Sequence, residues 1–252
     1  MPFYYQVSKK RALFHYRNIA TYVVNNGCEI LVAPEPQSST EAVSLGLLNA
    51  PFALLFLQRG FLVLHSSALE INKKTIAFLG PSRAGKSSAA LTLVASGHRL
   101  VSDDILPITV SATASVPTPA YPWMKISKEI ALAAGLPFDD RPSFSNTYKK
   151  RIHHLSANQF QAEPSPLVCL YLLNWGQEFS IARIPPIQAI LDLVAQSYGF
   201  VPQTEHQEEE KKRFLQSSQF IKTVPVYRLT RPKDLNLAMQ LPSFIEDHLA
   251  TI

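Results

Sequence analysis

Along the chain, apolar positions repeat at two alternating periods, and the switches between them mark the elements. "TYVVNNGCEILVAP", residues 21–34, predicts two short strands about Asn26-Gly27, a pair that tolerates positive φ and so favours a hairpin. After the Pro- and Ser-containing "APEPQSST", residues 41–60 are apolar at helical spacing, which predicts one buried helix ending at Gly60. "FLVLHSSALEI" and "TIAFLG" read as β-rich runs joined by a polar "NKK", and the second enters a glycine-framed loop. From Lys86 to Ser96 the spacing is helical and Gly97 closes it. "RLVSDDILPITV" then reads as a strand with two carboxylates in its middle, so strand, loop, helix and strand make a βαβ-sized unit.

Residues 111–164 are punctuated by prolines, with a short helix predicted at "SKEIALAAG". "PLVCLYLLNW" and "FSIARI" read as paired strands around "GQE". "PPIQAILDLVAQSYG" reads as a helix whose prolines suit its first turn. Helix, strand and helix follow in "EEEKKRFLQSSQFIKT", "VPVYRL" and "RPKDLNLAMQLPSFIEDHL"; the charge run is a solvated helix face, and no repeat is visible.

Composition narrows the class. The chain has 252 residues, 46% of them hydrophobic, enough for one large core with an appendage. Its longest apolar stretch, "PFALLFLQRGFLVL", is broken by Gln58, Arg59 and Gly60 short of the roughly 20 residues that cross a bilayer. With no secretory pattern in the first residues, the expectation is a cytoplasmic protein that engages no membrane. Cys28 and Cys169 each sit in an apolar run and read as buried free thiols. A net charge of +5, spread along the chain, suits an anionic ligand or acidic peptide and does not indicate nucleic acid.

The candidate chemistry begins at Gly80, Pro81, Ser82, Arg83, Ala84, Gly85, Lys86 and Ser87, which satisfy the phosphate-loop pattern, with Ser88 following. Backbone N–H groups of such a loop wrap phosphates, the next helix adds its positive N-terminal dipole, Lys86 reaches the β and γ phosphates, and Ser87 meets Mg²⁺. The implied cofactors are ATP and Mg²⁺. Downstream, alternation along a strand would give Asp103 and Asp104 different faces, one for metal and one for a proton. His65, on the strand taken to pair with the one entering the loop, could approach either. Read alone, Asp-Asp also fits a solvated turn, and His65 a hydrogen-bonded core residue.

Residues 62–108, "LVLHSSALEINKKTIAFLGPSRAGKSSAALTLVASGHRLVSDDILPI", resemble the core of the HPr kinase family, bacterial serine kinases. The resemblance implies an α/β fold with a P-loop-containing, PEP carboxykinase-like core: a central mixed sheet flanked by helices, preceded by a short N-terminal β meander. The expected division is a meander and helix over 1–60, packed on a catalytic domain over 61–252. It also implies Asp103 as general base oriented by His65, with Asp104 and Ser87 at the metal. A positioned carboxylate suits this chemistry because a serine hydroxyl attacks poorly until its proton has an acceptor. "YKKRIHHL" is similar to the family's basic loop, which makes Arg151 a catalytic candidate, with Lys149 and Lys150 beside it, for stabilising transferred phosphate; a merely solvated loop is the other reading.

Three departures qualify the likeness. Arg83 stands where the family loop has glycine, "PAYPWMKISKE" replaces its glycine-rich signature with the metal-binding glutamate, and about 60 residues precede the core where full-length members carry a separate domain. The chain is in that respect similar to shorter HPr-kinase-like proteins of peptide tailoring, including those that phosphorylate the C-terminal serine of lasso peptide precursors. That implies a peptide or small-protein substrate with an acceptor serine, and the family allows a homo-oligomer. A nucleotide-dependent regulatory ATPase or switch, a small-molecule kinase on the same core, and an HPr kinase/phosphorylase stay open as alternatives.

Overall fold

The computed structural model describes residues 3–8, 10–143, 149–199 and 206–252. Strands β1 (Phe3–Val7), β2 (Arg11–Tyr16), β3 (Ala20–Asn25) and β4 (Glu29–Pro34) form an antiparallel sheet in chain order. The β3–β4 hairpin turns through Asn26 at φ 51° and Gly27 at φ 67°, the paired positive values that match strand twist. Alternate residues Ala12, Phe14, Tyr16, Ala20, Tyr22 and Val24 are buried on one face. The thiol of Cys28, expected inside, is exposed because it sits in the turn; Cys169 is buried as expected.

That face is covered by α1 (Thr40–Leu47) and α2 (Ala50–Gln58). The single helix expected over 41–60 is therefore two. Ser39 caps the first, its Oγ accepting from the Ala42 N–H at 3.2 Å. Asn49 leaves helical geometry at φ −122°, ψ −130°, and Pro51, which lacks an N–H, then sits in the first turn of the second. By length and composition the stretch Thr40–Gln58 could cross a bilayer. Here Leu45, Ala50, Leu54 and Leu55 join the N-terminal cluster, which also takes in Trp123 and Ile152 from the rest of the chain.

Next come β5 (Leu62–Leu64), β6 (Ser67–Ile71), β7 (Lys74–Leu79), α3 (Lys86–Ala95), β8 (Arg99–Ser102), β9 (Leu106–Val110), β10 (Ser115–Pro117), β11 (Trp123–Ile126), α4 (Lys128–Ala133) and β12 (Arg151–His154). The chain closes with β13 (Leu167–Trp175), β14 (Ser180–Arg183), α5 (Pro186–Gln196), α6 (His206–Thr223), β15 (Val226–Arg231), α7 (Leu235–Ala238) and α8 (Leu241–Leu249). A mixed six-stranded sheet, ordered β14-β15-β13-β7-β6-β8, is the centre. In it β7, β13 and β15 run parallel, whereas β6 and β14 are antiparallel to their neighbours. One face packs Ala90 and Leu93 of α3, Met124 of β11 and Ile245 of α8; the other packs Leu193 and Phe220 of the α5–α6 pair with Leu62 and Ile108. The chain is an α/β protein with helices flanking a central mixed sheet.

Pairing differs from expectation in three places. β13 and β14 are not partners, because β15 inserts between them. β8 does not lie beside the loop strand β7, because β6 separates them. The runs read as the single strands "FLVLHSSALEI" and "RLVSDDILPITV" each divide, with β5 and β9 pairing in a second sheet, β10-β9-β5, while β6 and β8 pair in the central one. Both halves of each run are apolar because both sheets are covered, and the polar breaks between them, His65-Ser66 and Asp103-Asp104, are too short to mark a change of sheet by pattern alone.

Candidate functional site

The phosphate-loop segment leaves the carboxyl end of β7 and enters α3. Gly80 has φ 151°, Arg83 φ 68° and Gly85, which precedes the helix, φ 85°. Arg83 thus takes the left-handed conformation that glycine adopts at less cost, so the loop keeps its turn at an expense of about 1 kcal/mol. Gly85 is required twice over: its φ is positive, and a Cβ there would run into the Arg231 guanidinium. Arg231 Nη2 donates to the carbonyls of Ala84 at 3.2 Å and Gly85 at 3.1 Å, bracing the loop from β15, and burial lowers its pKa to about 10. The Lys86 ammonium, buried, donates to Gly80 O at 2.7 Å and Pro81 O at 3.3 Å. Burial lowers its pKa, and the carboxylates of Asp104 and Asp103 act against that shift.

The acidic pair stands where two crossovers meet. The β5–β6 and β8–β9 links both pass between the same two sheets, bracketed by the pairs Leu64↔Leu106 and Ala68↔Ser102. His65 and Ser66 fall in one gap, Asp103 and Asp104 in the other. The carboxylates therefore occupy a turn and not a strand, with Asp104 at φ 76°, and that turn sends the two side chains apart.

Asp103 points down. At 1% exposure its Oδ1 accepts from Ser67 Oγ at 2.6 Å and Ser87 Oγ at 3.1 Å, and its Oδ2 from the Lys125 N–H at 3.1 Å. Burial raises its pKa and the neighbouring Asp104 adds to this, against the lowering by Ser67 and Lys125. Asp104 points toward the opening: Lys125 Nζ is 2.5 Å from its Oδ2, and His65 Nε2 is 3.5 Å from its Oδ1. Burial alone would raise this carboxyl, but Lys125 and His65 outweigh it and hold the group well below the usual carboxylate range. The histidine contact that the resemblance implied for Asp103 is thus made by Asp104, and Ser87, which the resemblance set with Asp104 at a metal, meets Asp103 instead. The His65 ring in turn stacks on Tyr198, centroids 5.8 Å apart and planes within 14°.

These groups line a cavity of about 490 Å³. Ser82, Gly85, Ser87 and Ser88 of the loop face it, as do His65, Asp104 and four cationic residues, Arg83, Lys86, Lys125 and Lys150. Such a density of positive charge around one carboxylate suits a polyanion. Ala84 is buried behind the loop. Arg151 is not among the lining residues: its guanidinium carbon lies 5.9 Å from the Phe138 ring centroid, and Lys150, one residue earlier, faces the cavity instead. Lys149 is exposed, and Tyr148, at the start of the basic stretch, lies outside the described residues.

Ser67, Lys125, Tyr198, Trp175 and Arg231 belong to the site without having been singled out from the sequence. Lys125 carried a signal, being a lysine in the apolar "YPWMKI". Ser87 Oγ and Asp103 Oδ1 are hard oxygen donors 3.1 Å apart at the start of α3, a fit for Mg²⁺, which takes few protein ligands beside phosphate oxygens. Among the described residues, no cluster of three or more His, Cys, Asp or Glu side chains makes a metal site without such phosphates.

No family model matches the chain, and no curated protein matches it. Among solved structures it is similar to the Hpr(Ser) kinase/phosphatase from Coxiella burnetii, with 12% identity and a TM-score of 0.40 over 75% of this chain and 97% of that one. At that distance the likeness is one of outline, and the chemistry rests on the geometry above.

Proposed function

We propose that this protein is a cytoplasmic ATP- and Mg²⁺-dependent kinase on a P-loop, PEP carboxykinase-like core, which transfers the γ-phosphate to a serine hydroxyl of a peptide or small protein. The observation that carries the reading is Asp104, an ionised carboxylate held between Lys125 and His65 in the same cavity as Lys86 and Ser87. A loop that only bound and released nucleotide would have no need of a positioned proton acceptor there.

The roles follow from position. Lys86 neutralises the β and γ phosphates, and Arg83 and Lys150 add positive charge to the cavity where charge develops. Ser87 and Asp103 would hold Mg²⁺, which when bound supplies charge neutralisation on the phosphates. Asp104, and not Asp103, accepts the serine proton. Its strongly acidic character makes it a poor base toward a resting hydroxyl. In a loose phosphoryl-transfer transition state the proton leaves late, and the main demand on the carboxylate is to orient the nucleophile. Lys125 and His65 fix that orientation, and each Asp104 oxygen retains a further lone pair. Lys150 and the exposed Lys149 suit a substrate whose serine stands at its C-terminal carboxylate, the type offered by lasso peptide precursors.

Incubation with ATP, Mg²⁺ and a Ser-ending precursor peptide should add one phosphate to that serine. Asp104→Asn should slow transfer by about 10²- to 10⁴-fold with nucleotide affinity retained, whereas Asp103→Asn should weaken Mg²⁺–nucleotide binding. Undiminished transfer in Asp104→Asn overturns the assignment of the base. Brisk ATP hydrolysis with no transfer to any peptide overturns the kinase reading in favour of a switch.

A further inference from the structure

The parallel strands β7, β13 and β15 are neighbours, so their carboxyl ends emerge side by side, the edge at which α/β sheets bind ligands. β7 delivers the phosphate loop. The other two deliver Trp175-Gly176-Gln177 and Pro232-Lys233-Asp234, which line a second cavity of about 530 Å³.

Trp175 lines both cavities. Its indole is tied to the loop by one side chain: the Arg231 guanidinium lies 4.2 Å from the ring centroid and also donates to the Ala84 and Gly85 carbonyls. The ring's far edge reaches the loop itself, since a Cβ on Gly85 would lie 3.2 Å from Trp175 Cη2. An aromatic plate of fixed orientation thus begins where α3 begins and extends from the phosphate-binding cavity into the second one. Along that second wall stand an amide, Gln177, a carboxylate, Asp234, and an ammonium, Lys233, whose Nζ is 5.8 Å from the same ring.

We propose that the second cavity is the nucleoside subsite of the phosphoryl donor, in which a purine stacks on Trp175 while Gln177 and Asp234 meet the polar edges of base and ribose. This inference rests on the reading of 80–87 as a nucleotide-binding loop, and it adds what the loop leaves open, namely how the non-phosphate half of the donor is held. An indole is a large π surface, and base–aromatic stacking is sequence-tolerant but grows with ring area, so ATP and GTP bind better than CTP and UTP. Asp234 and Gln177 supply acceptors and donors to either purine, so discrimination between ATP and GTP at this subsite is small beside that between purine and pyrimidine.

The test is calorimetric titration of the full chain with Mg²⁺ and, in turn, ATP, CTP and inorganic tripolyphosphate. ATP should bind about tenfold or more tightly than tripolyphosphate, with CTP between them. Trp175→Leu should lower the ratio of ATP affinity to tripolyphosphate affinity about tenfold, and Trp175→Phe, which keeps an aromatic plate, should recover part of that ratio. Arrival of both variants with the wild-type circular dichroism spectrum separates a lost plate from a lost fold. Equal affinity for ATP and tripolyphosphate in the wild type, or equal weakening of both by Trp175→Leu in a folded protein, overturns the subsite and leaves the phosphate loop standing. Binding of none of the three ligands overturns the loop reading and the subsite together.

Discussion

The phosphate loop and the acidic turn each hold a non-glycine residue at positive φ, Arg83 at 68° and Asp104 at 76°, and they come by it differently. The loop is built from one contiguous stretch. Gly80, Gly85 and the helix that begins at Lys86 dictate its path, and Arg231 reinforces it from outside. The turn has no such internal cause. Asp103 is gripped by Ser67, Ser87 and the backbone of residue 125, and Asp104 by His65 and Lys125, from three segments distant in sequence. A local motif tolerates a misfit such as Arg83, whereas a turn assembled from distant parts depends on every contributor.

Removing the distant partner should therefore have the largest effect. Lys125→Met leaves the Asp104 charge with its closest counterion gone, and stability should fall by about 3 kcal/mol, read as the urea midpoint. The double variant Lys125→Met/Asp104→Asn should regain much of this, because no stranded charge remains. A loss under about 0.5 kcal/mol in the single variant would mean the turn is held locally after all.

A smaller effect probes the strand pair that carries Lys125. His153 on β12 lies opposite Met124, and burial, with Arg141 and His154 nearby, lowers its pKa to about 4. Unfolded, it takes up a proton near pH 6.5. Between those values the unfolded chain holds the extra proton, so stability must fall as pH drops from about 6.5 toward about 4 and level off below. The amplitude is on the order of 2 kcal/mol, and the difference between wild type and His153→Gln across that window isolates it. Parallel pH curves for the two proteins would refute the buried neutral histidine.

The smallest effect belongs to the loop. Arg83→Gly should raise stability by about 0.5 kcal/mol, because relief of the left-handed strain slightly exceeds the added freedom of the unfolded chain. The same variant should weaken tripolyphosphate binding a few-fold through loss of a cavity-lining charge. A clear loss of stability would show that Arg83 braces the loop by its side chain.

The division between local and assembled parts also separates what was legible in the chain from what was not. The Asn26-Gly27 hairpin, α3 and the loop before it are specified by neighbours within a few residues, and pattern and spacing sufficed to place them. Pro51 marked the break between α1 and α2, yet the apolar continuity of 41–60 concealed it. At "YKKRIHHL" the basic cluster was visible, but which cation faces the cavity depends on β12 starting at Arg151 opposite Ile126. A one-residue shift in register exchanges the faces of a strand, and composition does not report register.

By itself, then, the sequence determined a glycine-framed loop that fits the phosphate-loop pattern, an α/β alternation, and an acidic pair with a histidine upstream, because each is a short-range pattern. Only the tertiary structure decided that Asp103 meets the loop serine and Asp104 meets His65, that Lys125 closes the site, and that Trp175 joins it to a second cavity. Those facts depend on which strands become neighbours and where the chain changes sheets, choices made by the burial of two covered sheets at once, and no local stretch of residues carries them.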